Sequence, residues 1–297
     1  MNSPTSSSKL RSINLQKPIT VRLNSRLSVR LYADSRPHCM EIAPLQKGLV
    51  LMLDNQELVE EGIGFGVPVV KYQDKTYFST SAEVTIRKTS STCKLKKAYV
   101  LDAISRKKLW RASYIDDGLY SSLRKRFEKP YLSHKKSELL FNKIMELREV
   151  AKIKTEFVKV KPRGVITVNY EIWRKVVEVI VDFSDLTLNG CREALVLNEQ
   201  GSTVFGKYSD TSGSELIGHE IGAWDAIKAD QASFLSTSGQ LVFSLEKIGN
   251  ATLFRGWEKT RNRFSWAGLS YSLRPNHGTF DYSIRLGYKS KIENLAI

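Results

Sequence analysis

The sequence predicts a mainly β protein: an antiparallel β-sandwich or a large bent or closed sheet, with one or two helices inserted near 117–152. Three observations predict it. Residues 155–183 read TEFVKVKPRGVITVNYEIWRKVVEVIVDF, where apolar and polar residues alternate. A period of two with β-branched and aromatic residues marks strands that hide one face from water. The same beat recurs at 19–32, ITVRLNSRLSVRLY, and at 269–288, LSYSLRPNHGTFDYSIRLGY. Helical spacing stands out at Leu140, Ile144, Leu147 and Ala151, one apolar stripe suited to packing beside a sheet.

The elements follow in order. A Ser-rich tail, 1–17, is expected to be disordered, and 18–297 to form one large β-rich domain with a basic helical insert at 87–155. Residues 19–32 predict a hairpin turning at Asn24-Ser25. Residues 39–87 predict several strands. Gly62, Gly64 and Gly66 are spaced GxGxG before a strand-like Val-Pro-Val-Val. A dinucleotide loop must instead open a helix, so these glycines predict a bend or a close backbone approach. Residues 96–112 suggest a hairpin, and Asp116-Asp117-Gly118 a cap for a short helix. Pro162-Arg163-Gly164 is turn chemistry, so 155–183 is expected to be a three-stranded meander. A strand is predicted at 194–197, a loop at 201–222, strands at 240–246 and 251–255, a basic aromatic link at 256–264, and two closing strands.

Several chemistries lack their motifs. Cys39, Cys93 and Cys191 form no CxxC, which argues against a disulfide framework and for a reducing compartment. No GKS or GKT, GxSxG or kinase set is present. His219-Glu220 begins like a zinc-protease helix, but Ala223 stands where the second His is needed. No metal or cofactor is therefore expected. Without an apolar run of signal-peptide or membrane-span length, the chain is expected to be cytoplasmic with no transmembrane segment.

What remains is a loop set of carboxylates, imidazoles and aromatics. His219, Glu220 and Asp225 are candidate catalytic groups, with Trp224, Glu61, Trp257, Arg274 and His277 as candidate ligand contacts. Sugar chemistry uses such groups: carboxylate and imidazole move protons, and indole faces cover sugar C–H surfaces. The second half resembles the galactose mutarotase-like super-sandwich, on the strand-dense 155–183, the link Trp257–Trp266 and the closing LSYSLRPNHGTFDYSIRLGY. That resemblance implies a carbohydrate ligand and epimerase- or lyase-like chemistry; the catalytic His pair of that family matches no two histidines here.

The formal charge of +15 is unevenly spread, with 21 Lys and Arg against 8 Asp and Glu over 87–161. Basic residues with interleaved aromatics suit polyanions such as nucleic acid or acidic glycan. Lys94, Lys96, Lys97, Arg106, Lys107, Lys108, Arg124, Lys125 and Arg126 are the residues for that alternative. A lipocalin-like carrier of an apolar ligand is a third reading.

Overall fold

A computed structural model describes residues 17–34, 45–73, 75–88, 93–108, 114–115, 154–259 and 265–288. The expected helices at 117–152, Arg124, Lys125 and Arg126, and the tail before Lys17 lie outside the described residues. What is described is antiparallel β structure in three sheets.

The front sheet runs, in spatial order, Tyr114–Ile115, Ala103–Lys108, Lys75–Phe78, Gly64–Tyr72, Cys191–Gln200, Ser265–Leu273, Ala251–Lys259 and Ala223–Ala226, with Lys154–Lys159 also paired to Ala103–Lys108. The back sheet runs Glu215–Ile217, Phe205–Asp210, Gln231–Ser236, Leu241–Glu246, Thr279–Tyr288, Val176–Asp182, Val165–Trp173, Cys93–Val100 and Ser81–Lys88. A small sheet, built on the predicted hairpin Ile19–Arg22 and Leu27–Leu31, adds Val50–Leu53 and Gln56–Glu57. Neither large sheet closes on itself among the described residues. The architecture is a sandwich, not the barrel a lipocalin-like carrier needs.

Alternation places one face of each large sheet in a shared core. Val168, Tyr170, Val179, Val181, Phe280 and Ile284 meet Val196, Leu269 and Tyr271, all buried. Phe65 of the front sheet packs edge-on against Phe243 of the back at 5.3 Å. Polar groups in this core are paired, as burial demands. The Tyr170 hydroxyl donates to Phe65 O at 2.9 Å, and Tyr282 donates to Asn198 Oδ1 at 2.8 Å, which also takes Gly66 N–H at 3.0 Å. Gly66 has φ +74, and a Cβ there would lie 2.8 Å from the Tyr170 ring. Gly64, φ +89, lies against the backbone of Gly48. The predicted close approach is real.

Several expectations need correction. The first strand of the supposed meander, Lys154–Lys159, joins the front sheet, whereas Val165–Trp173 and Val176–Asp182 pair in the back one. Pro162-Arg163-Gly164 therefore carries the chain between sheets. Cys93–Val100 and Ala103–Lys108 likewise separate into different sheets, so 96–112 is not one hairpin. Residues 201–222 contain strands Phe205–Asp210 and Glu215–Ile217 and a 3₁₀ turn Gly218–Ile221. The strand Gln231–Ser236 was missed, and the supposed link is strand through Lys259. Among the described residues no helix is long and apolar enough to cross a membrane.

Candidate functional site

The outer face of the front sheet holds a cavity of about 430 Å³. Its floor follows from strand register. Along Cys191–Gln200, the side chains of Glu193, Leu195, Leu197 and Glu199 fall on this face, one every second residue. Glu199 pairs with Gly64 on one side and Gly268 on the other; Gly268 pairs with Gly256, and Gly256 with Ala223. Glu199 is thus the one large side chain in a row of small residues, which leaves a trough across the sheet.

Two indoles cover the far end of the trough. Trp224 and Trp266 stack with centroids 4.7 Å apart and planes 18° apart. Glycine makes this possible: a Cβ on Gly256 would lie 2.5 Å from Trp266 Cη2 and 3.2 Å from Trp224 N. Trp224 sits in a break of register between Ala223 and Asp225, where an extra residue re-aims a side chain. Its φ of +66 is costly for a bulky residue, and such strain gathers at functional sites.

The polar groups are few. Lys71 and Glu193, directly opposed on neighbouring strands, form an ion pair at 2.6 Å. Burial works against the Glu193 charge, but hydrogen bonds from Lys71 and Ser272 hold its carboxyl below the ordinary range. Glu258 accepts the Trp266 indole N–H at 2.8 Å. Glu199 is 5% exposed and, among the described residues, accepts only the Ile63 N–H, at 3.1 Å on Oε2. Burial pushes its pKa up to about 7; the Ile63 bond and Lys47 oppose this, and Glu258 adds to it. Val69, Leu195, Leu197 and Phe254 supply the apolar wall. A second, more open depression of about 560 Å³ shares Glu193 and includes Arg192 and Arg274.

Of the residues singled out from sequence, Trp224 lines the cavity and Arg274 the second depression. His219, Glu220 and Asp225 are absent from the lining of both. His219 meets the Trp257 ring edge-on at 4.8 Å. Glu220 accepts from Ile217 N, and Asp225 lies 3.8 Å from Arg255. Trp257 alternates with Glu258, so its ring takes the buried side and its N–H donates to Phe205 O at 3.0 Å. Glu61 is half-buried, and burial raises its pKa, with Lys47 opposing. His277 is exposed, its Nδ1 3.2 Å from Ser184 O.

The basic set also divides. Lys94 and Lys96 are exposed, and Lys94 pairs with Glu171 at 2.7 Å. Arg106 is half-buried, and only the backbone of Lys107 and Lys108 is described. Lys97 is a correction: it is fully buried, donating at 2.7 Å to both Tyr32 O and Lys47 O. Alternation with Cys93, Leu95 and Tyr99 turns it into the core, out of reach of any polyanion.

Glu199, Glu258, Trp266 and Lys71 escaped the sequence reading. The available signal was Glu193 and Glu199 keeping step with Leu195 and Leu197 on one strand face, and two glycines inside flanking strands.

Neither a protein-family profile nor a curated protein sequence matches the chain. Solved structures with similar strand arrangement include the α-N-acetylgalactosaminidase NagBb from Bifidobacterium bifidum, with 7% identity, TM-score 0.46, 92% of this chain and 36% of that one. The chain thus spans about a third of that enzyme's length. A galactose mutarotase-like protein from Lactobacillus casei aligns at 10% identity and TM-score 0.41, over 92% of this chain and all of that one. A galactose mutarotase related enzyme from Lactobacillus acidophilus aligns at 10% and 0.34, over 92% and 98%. The last two carry the name of the family that the C-terminal half resembles.

Proposed function

We propose that the protein binds a carbohydrate in the cavity on the outer face of the front sheet. The observation that carries this reading is the trough itself: glycines at 256 and 268, flanked by a stacked indole pair and by carboxylates. A sugar presents an apolar C–H face and a rim of hydroxyls. Aromatic surface takes the first, and carboxylate acceptors take the second. Trp224, expected from sequence as a ligand contact, is assigned that role in this reading.

Proton transfer is a second reading for the same cavity, favoured by Glu199. A carboxyl poised near neutrality gives and takes protons efficiently. Here Glu199 and Glu258 replace His219, Glu220 and Asp225, because the latter three lie off the cavity wall.

Tryptophan fluorescence titrated with a panel of mono- and disaccharides tests binding. Saturable changes that vanish in Trp224→Ala are expected. Undiminished sugar binding by that variant would overturn the site, and no response to any sugar would overturn the reading. For proton transfer, anomerisation of a bound sugar followed by NMR is expected to slow at least tenfold in Glu199→Gln.

A further inference from the structure

We infer that the ligand of this cavity carries a protonated amine, making it an amino sugar in preference to a neutral one. The inference rests on the carbohydrate reading and sharpens it. Among the described residues, the cavity is lined by the carboxylates of Glu193, Glu199 and Glu258 and by the ammonium of Lys71. Lys71 is already committed to Glu193.

Glu199 is the decisive group. It is almost wholly buried, lines the cavity, and has no hydrogen-bond partner on Oε1 among the described residues. The charged groups acting on it are Lys47, which favours its ionised form, and Glu258, which opposes it. Lys47 directs its own Nζ to Glu60 O at 3.0 Å. A buried carboxylate with an unmatched oxygen is costly, and a cation entering the trough supplies a partner for it. The indole pair suits the same visitor, since a desolvated ammonium is attracted to an aromatic face.

The test titrates the protein at pH 7 with glucosamine, galactosamine and mannosamine, their neutral parent hexoses, their N-acetyl forms, and tetramethylammonium. At least one amino sugar is expected to bind about tenfold or more tighter than its neutral and N-acetylated counterparts. Equal or tighter binding of the neutral forms overturns the amine inference and leaves the carbohydrate reading standing. Binding of tetramethylammonium with no sugar binding does the reverse. Silence from every probe overturns both.

Tetramethylammonium keeps its charge at every pH, so its affinity should rise as pH climbs through 7 and Glu199 ionises. Glu199→Gln should weaken it about tenfold and flatten that rise. Should this variant not fold, calorimetry of the wild-type protein in buffers of different ionisation enthalpy gives the same answer. Release of a fraction of a proton on binding at pH 7 is expected, and no release overturns the role of Glu199.

Discussion

Lys97 and Glu199 are both buried and both pushed by desolvation to a pKa of about 7, from opposite directions. Their surroundings differ. Lys97 sits in the core with two carbonyl acceptors, Tyr32 O and Lys47 O, on its ammonium. Glu199 faces an open trough, with one carboxylate oxygen unmatched among the described residues. Burial and a shifted pKa therefore do not identify a site. What separates a structural ion from a binding group is whether its hydrogen bonds are already made, and whether a ligand can reach it.

The contrast can be broken at either end. The largest effect belongs to Lys97→Ala, which strips the main partner from two buried carbonyls and empties volume in the core. A loss of about 3–5 kcal/mol in urea unfolding is expected, with sugar affinity unchanged. Wild-type stability should also respond to pH. Between about 7 and 10.5 the unfolded chain holds a proton on Lys97 that the folded one does not, so stability rises with pH across that window. Below about 7 the deficit is complete. Lys97→Met should abolish this rise.

Glu199 predicts the opposite slope. Between about 4.5 and 7 the folded protein keeps a proton that the unfolded chain releases, so stability falls as pH rises there. Glu199→Gln removes that fall. The variant should match wild type near pH 4.5 and exceed it by up to about 3 kcal/mol above pH 7, while binding the amine about tenfold more weakly. A variant destabilised at pH 8 would make Glu199 a structural group like Lys97.

Gly256→Ala should cost about 1–3 kcal/mol, because its Cβ collides with the Trp266 ring. Near-ultraviolet circular dichroism should report the displaced indole. The smallest effect is expected on the exposed surface, where Lys94→Ala breaks the pair with Glu171. Stability should change by no more than about 0.5 kcal/mol.

Much of the fold was legible because a strand writes its buried face into its own residues. Val179, Val181, Tyr282 and Ile284 announce themselves by alternation. The N-terminal hairpin did so too, aided by Asn24, whose Oδ1 accepts the N–H groups of Arg26 and Leu27 across the turn. Segments without a clear beat were misread. Gln231–Ser236, QASFLS, hides Ala232, Phe234 and Ser236, and only one of these is large and apolar. Of the residues lining the cavity, Trp224 alone was singled out from sequence, since loops rich in His, Glu and Asp draw the eye from an acidic residue inside a strand.

By itself the sequence determined that strands form, roughly where, and which side of each avoids water, because those preferences are local. Tertiary structure alone decided which sheet each strand joins and which residues stand side by side. Glu199 is dozens of residues from both Gly256 and Gly268, and they become its neighbours only through register. Cross-strand register depends on partners distant in the chain, so the trough exists only after the sheet has assembled.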